Sequence, residues 1–133
     1  MVRAALEVIA ERGYRGASLA AVAERVGLTQ KYNAMRPAIV QTFSALLGES
    51  VTEEHPARAY FTERYAGVRA GMAGVLRAEY GDRLPSGLTP ERAAPLLVAV
   101  LDGLQYQWLL DPESVDMASA FRDFLTLLGE GDD

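Results

Sequence analysis

Cysteine is absent from the 133-residue chain, and histidine occurs once, at position 55. Without cysteine there is no disulfide, no thiolate metal site and no cysteine nucleophile. No apolar run approaches the roughly 20 residues that span a bilayer. The opening segment MVRAALEVIAERG carries two glutamates and is typical of an amphipathic helix, not of a signal peptide. We therefore expect a soluble, cytoplasmic protein that makes no use of the membrane.

Residues suited to catalysis or metal binding are few. His55 precedes Pro56 at a predicted helix start, which indicates a capping or loop role rather than a site. Glu53 and Glu54 are adjacent in sequence, so they cannot share one helix face. Glycine patterns of the Walker or dinucleotide-binding kind are missing. The sequence predicts no enzymatic activity, no metal site and no cofactor.

Charge is unevenly distributed along the chain, whose net charge is −5. Residues 1–36 hold six basic side chains against three acidic ones, whereas residues 37–133 hold seven against fifteen. A basic end on an acidic body is typical of a chain with one surface that faces nucleic acid. The alternative is chance variation of a few charges.

Apolar residues recur at helical spacing almost everywhere, which predicts an all-α protein. The predicted helices cover residues 2–12, 18–27, 38–47, 56–81, 90–110 and 114–128. Ser18 is a favourable N-cap for the second helix, and Gly27 is expected to end it. Thr89 and Pro90 have the same capping pattern before the fifth.

The last two predicted helices are apolar on more than one face. Leu109, Leu110, Met117, Phe124 and Leu127 fall outside their main apolar stripes. A helix that is hydrophobic on two sides must be buried on both. In a chain this short we expect the second cover to be another copy, in a two-fold four-helix contact.

Large aromatic and flexible side chains recur on consecutive helices and predict an apolar pocket with polar groups at its rim. The candidate ligand-binding residues are Met35, Phe43, Tyr60, Phe61, Tyr65, Met72, Tyr106 and Trp108. The alternative is that each of these side chains simply belongs to the core. The pattern favours a small apolar or aromatic ligand and identifies no charged residue for it.

The stretch LAAVAERVGLTQ, residues 19–30, has the spacing of a helix-turn-helix. Ala23 is the small residue where two helices cross, and Gly27 stands at the turn. Apolar anchors surround both positions. The Thr29 hydroxyl is placed to cap the next helix, and Gln30 is expected among its first residues, facing the DNA groove.

The segment ALEVIAERGYRGASLAAVAERVGLT closely resembles the N-terminal half of the DNA-binding domain of TetR-family (tetracycline-repressor-like) transcriptional regulators. The segments HPARAYFTERYAGVR, TPERAAPLLVAVLDGLQYQWLLDP and VDMASAFRDFL resemble the ligand-binding and dimerisation segments of a group of these proteins. The resemblance implies an all-helical homodimer that binds a palindromic double-stranded DNA operator as a repressor. It also implies that a small-molecule effector in the C-terminal domain releases the DNA.

Residue roles follow from the same resemblance. Ser18 is expected to touch backbone phosphate, and Thr29, Gln30 and Lys31 to begin the recognition helix. The segments that pair subunits include Leu97, Leu101, Gly103, Leu104, Trp108, Phe121 and Leu125. We expect a partial DNA-binding domain at residues 1–30 and a ligand-binding and dimerisation domain at residues 31–133.

The sequence departs from the family pattern after Gln30. Asn33 and Arg36 stand where a recognition helix needs apolar anchors, and Pro37 ends any helix after about two turns. The segment KYNAMRPAIVQTFSALL instead resembles an early helix of the ligand domain. We therefore expect that several tens of residues, with the recognition helix, are missing between Gln30 and Lys31. The alternative function is a dimerisation and ligand-binding module that does not bind DNA by itself.

Overall fold

The computed structural model describes residues 18–52 and 54–128. These residues form five helices and no strand, which confirms the all-α prediction. In chain order they are α1 (Leu19–Ala34), α2 (Pro37–Ser50), α3 (Arg58–Tyr80), α4 (Pro90–Leu110) and α5 (Met117–Leu127). The helix expected at residues 2–12 lies outside the described residues.

The core lies where α1, α3, α4 and α5 meet. Its largest fully buried side chains come from all four helices: Leu19, Val22, Val26, Met72, Val75, Leu76, Leu97, Leu101, Met117 and Phe121. The long helices α3 and α4 pack on one another, and α5 covers α1 and α4. The apolar stripes predicted from the sequence are therefore buried largely against other helices of the same chain.

The helix expected to stop at Gly27 does not stop there. Helix α1 runs unbroken from Leu19 to Ala34. Gly27 lies inside it without a positive φ, and a Cβ added to Gly27 would stand 3.3 Å from the Cβ of Ala118 on α5. Glycine thus serves close helix packing at this position rather than a turn. The true end comes before Pro37, because proline disfavours helical backbone in the residue that precedes it.

Side-chain caps begin α4 and α5, whereas α2 and α3 begin without one. The Thr89 hydroxyl accepts a hydrogen bond from the Arg92 N–H at 3.3 Å, as expected for the cap of α4. The last helix begins later than predicted, because the Asp116 carboxylate caps it by accepting from the Ser119 N–H at 3.0 Å. Gly81 ends α3 with φ of 75°.

Helix α4 is the one described helix whose length and apolar composition would suit a membrane span. Ala93, Ala94, Leu97, Val98 and Leu101 on it are buried in the chain. Core packing therefore accounts for much of its apolar composition. Helix α2, in contrast, buries only Val40 and Ser50 and covers the rest of the bundle loosely.

Candidate ligand-binding cavity

A cavity of about 310 Å³ opens between α1, α2, α3 and α4. Its volume is at the small end of the range of ligand pockets in proteins. The lining residues are Thr29, Asn33, Ile39, Val40, Phe43, Ser44, Leu47, Tyr60, Arg64, Tyr65, Asp102, Gln105 and Tyr106. Tyr60 and Tyr106 are 55% and 44% exposed, so they form an open rim.

One wall of the cavity combines a cation with packed aromatic rings. The Arg64 guanidinium carbon lies 5.8 Å from the centre of the Phe43 ring, within the range of a cation–π contact. Phe61 packs edge-on against Phe43 at 5.3 Å and against Tyr60 at 5.1 Å between ring centres. Phe61 is buried behind this wall. Its edge-to-face contacts fix the positions of the Phe43 and Tyr60 rings.

The cavity lining also includes a phenol and a carboxylate that are hydrogen-bonded to each other. The Tyr65 hydroxyl donates a hydrogen bond to Oδ2 of Asp102. Burial, and then this hydrogen bond, raise the pKa of the Tyr65 phenol well above its ordinary value. Tyr65 also packs against Val68 and Val98, so the pair links the cavity to the contact between α3 and α4.

The structure brings only part of the predicted ligand-binding set to the cavity. Phe43, Tyr60, Tyr65 and Tyr106 line the cavity together. Phe61 stands behind the aromatic wall, Met72 and Trp108 lie in the core, and Met35 is exposed at the end of α1. Four candidates thus line the cavity and three are buried, while Met35 belongs neither to the cavity nor to the core.

The predicted DNA-binding residues have other surroundings in this structure. Thr29 lines the cavity. The Gln30 side-chain carbonyl accepts a hydrogen bond from the Met117 N–H at 2.9 Å, and the Ser18 hydroxyl accepts one from the Ala21 N–H at 3.0 Å. Lys31 is exposed on α1. Their contacts with DNA stay a prediction.

The predicted dimer residues are largely inside the chain. Leu97, Leu101, Trp108, Phe121 and Leu125 are buried, while Gly103 and Leu104 are partly accessible. The accessible apolar side chains of α4 include Leu96 and Leu110, which are 54% and 87% exposed. Leu96, Gly103 and Leu110 are spaced by seven, so they share one face of α4. We call these three residues the α4 stripe.

Sequence reasoning missed the two charged residues of the cavity, Arg64 and Asp102. Asp102 had a signal, because it is the one charged residue between Ala93 and Leu110. A lone carboxylate in so apolar a helix calls for a partner or a role. Arg64 had no comparable signal in the sequence, because it follows Glu63 on a helix that carries several arginines.

His55 lies in the loop ahead of α3 and does not cap that helix. Its Nδ1 accepts a hydrogen bond from the Ala57 N–H at 3.1 Å, just ahead of α3. No group of three or more histidine, aspartate or glutamate side chains in the described part of the chain is arranged to hold a metal ion.

The described residues form an all-helical fold with one cavity between four of its helices, and comparison with known families gives the class of the protein. Residues 30–129 match the family described as BetI-type transcriptional repressor, C-terminal. Residues 1–31 match the family described as bacterial regulatory proteins, tetR family. The chain belongs to the TetR family of transcriptional regulators, as its sequence predicted. A search of curated proteins and a search of solved structures gave no match.

Proposed function

We propose that this chain is a ligand-responsive repressor whose effector occupies the cavity. The observation that carries the proposal is the position of Thr29. It belongs to the segment that matches the N-terminal, DNA-binding family, and it also lines the cavity. An effector that touches Thr29 and Asn33 therefore acts on the same helix that leads to the N-terminal segment.

Polar contacts join helix α1 to α3 and to α5. The backbone N–H of Leu19 donates to the carboxylate of Glu79 on α3, and Gln30 accepts from Met117 on α5. A ligand that moves α1 relative to α3 and α5 changes the free energy of these contacts. Coupling of this kind between two sites typically amounts to about 1–3 kcal/mol.

In this proposal two copies of the chain bind one palindromic DNA operator together, in the cytoplasm. We propose the α4 stripe as part of the pairing face, because it is apolar and accessible. Leu127 on α5, 84% exposed, extends the apolar surface available to a partner. The proposal assigns no enzymatic activity to the chain.

A second candidate function is a ligand-binding and dimerisation module that does not bind DNA by itself. The continuity of α1 favours it. The helix passes through Gln30 and Lys31 without a turn, so within residues 18–52 no separate recognition helix lies between α1 and α2. Such a module would act by pairing with a copy that carries a recognition helix.

Selection from a random library of DNA duplexes at low salt separates the two candidates. Enrichment of a palindromic sequence, bound by two copies, supports the repressor. Recovery of no common sequence, from a chain that is folded by circular dichroism and binds small molecules, supports the module. Low salt matters because phosphate contacts weaken steeply as salt rises.

A further inference from the structure

The cavity contains an unsatisfied cationic donor. The Arg64 Nε is shielded from solvent, and within residues 18–52 and 54–128 it has no hydrogen-bond partner. Its Nη1 donates to the Tyr60 hydroxyl at 3.5 Å, the outer limit of a hydrogen bond. A buried donor without an acceptor is costly, and more so when it is charged. Arg64 is therefore suited to an acceptor that the described chain does not supply.

The balance of donors and acceptors points the same way. Arg64 can only donate, whereas among the described lining side chains Asp102 is the one that can only accept. Oδ2 of Asp102 already accepts from Tyr65. A cationic ligand would have to share that carboxylate with the phenol and also face the Arg64 charge. An anionic ligand meets the Arg64 cation, whose Nε has no partner among the described residues, and breaks no described contact.

The surroundings of Arg64 add a shape requirement. Its guanidinium lies over the Phe43 ring, and Ile39, Val40 and Leu47 continue the apolar surface along α2. Asp102 on α4 is joined to Tyr65, the neighbour of Arg64 on α3. The anionic end of a ligand therefore belongs at Arg64, with its uncharged body against the Phe43 ring and the apolar side chains of α2.

We propose that the cavity takes a small molecule with a planar apolar body and one carboxylate, and that Arg64 is the residue that binds the carboxylate. The planar guanidinium matches a carboxylate with two parallel hydrogen bonds. This inference rests on the proposed function, in which the cavity holds the effector. It adds the chemical class of that effector.

Isothermal titration calorimetry with three ring-matched probes tests the inference. The probes are naphthoate, naphthamide and naphthylmethylammonium, which carry a negative, no and a positive charge at neutral pH. We expect naphthoate to bind at least about tenfold more tightly than naphthamide. Arg64→Gln removes that preference while naphthamide still binds, and Arg64→Lys keeps part of it. Arg69→Gln, an exposed arginine of α3 outside the cavity, is the control and keeps all of it.

Each contrary result has a distinct meaning. Equal binding of naphthoate and naphthamide, or tighter binding of naphthylmethylammonium, overturns the anionic class and leaves the cavity as an effector site. If the Arg64→Gln variant binds naphthamide and still prefers naphthoate, Arg64 is not the residue that binds the carboxylate. Failure of all three probes to bind the wild-type chain overturns the inference and counts against the cavity itself, and so against the proposed function.

Discussion

The side-chain carbonyl of Gln30 on α1 accepts a hydrogen bond from the backbone N–H of Met117, the first residue of α5, at 2.9 Å. The first N–H groups of a helix have no partner within the helix, so Gln30 satisfies one that α5 cannot. The contact joins two segments 87 residues apart. Thr29 and Asn33 on the same helix line the cavity. An effector in the cavity would therefore contact the helix that makes this hydrogen bond.

Gln30→Ala removes this contact and leaves the Met117 N–H without its acceptor. We expect the free energy of unfolding to fall by about 0.5–1.5 kcal/mol, the usual net value of a hydrogen bond. Urea unfolding at fixed protein concentration measures the change. Gln107→Ala, at an exposed position of α4, controls for the loss of a glutamine side chain. Equal stability of both variants would show that the Gln30 contact contributes nothing.

Ser18 has a structural role here and a predicted role at DNA, and two substitutions separate them. Ser18→Ala loses the cap of α1 and is expected to lower stability by about 1 kcal/mol. Ser18→Asp keeps a capping oxygen but places a negative charge where phosphate is expected. We therefore expect Ser18→Asp to retain stability in urea and to weaken duplex binding. Unchanged duplex affinity in Ser18→Asp would remove Ser18 from the phosphate contacts.

Two helix glycines test the pairing face. A Cβ added at Gly67 or at Gly103 meets no atom of the described chain within 4 Å. Gly67→Ala should therefore raise stability, by up to about 1 kcal/mol, through helix propensity alone. Gly103→Ala lies on the α4 stripe and should weaken the dimer, because the added methyl would meet the partner copy.

Analytical ultracentrifugation at several protein concentrations compares the two variants. A Gly103→Ala protein that dimerises like wild type, and gains stability as Gly67→Ala does, would show that this face of α4 is in water.

The raised pKa of Tyr65 predicts a loss of stability at alkaline pH. An ordinary phenol ionises near pH 10, so above that value the unfolded chain loses this proton while the folded chain keeps it. The folded state then binds more protons, and the free energy of unfolding falls as pH rises. Below pH 10 the phenol is protonated in both states and contributes no slope.

Urea unfolding between pH 9 and pH 11 should thus show a shallower decline for Tyr65→Phe than for wild type. Tyr32→Phe, which removes an exposed phenol of α1, is the matched comparison. Identical declines in wild type and Tyr65→Phe would mean that the protonated phenol is not favoured by the fold.

Local patterns predicted the helices well, since capping and apolar spacing act within a few residues of each other. Thr89 and Gly81 mark helix ends as their chemistry requires. The predicted helix end at Gly27 was wrong, because a glycine that ends a helix and one that allows a neighbouring helix to approach closely look alike in sequence. Only the position of Ala118, distant along the chain, distinguishes them.

The cavity was harder to predict than the fold, for a related reason. An aromatic residue on an apolar face suits a core and a pocket equally, and the packing of four helices decides between them. Met72 and Tyr65 lie on the same helix, yet one is in the core and the other lines the cavity. The ligand-binding role proposed for Arg64 depends on the cavity around it, which forms only when the helices pack.

The most direct test of the account is whether filling the cavity releases DNA. Ser44→Trp places a large side chain in the cavity from α2, and Ala45→Trp places the same side chain on the exposed face beside it. Fluorescence anisotropy with a duplex obtained by selection gives the affinity of each. We predict that Ser44→Trp weakens duplex binding by about 5- to 150-fold, the range of typical coupling, and that Ala45→Trp leaves it unchanged. A folded Ser44→Trp variant that binds the duplex as tightly as wild type would contradict the account.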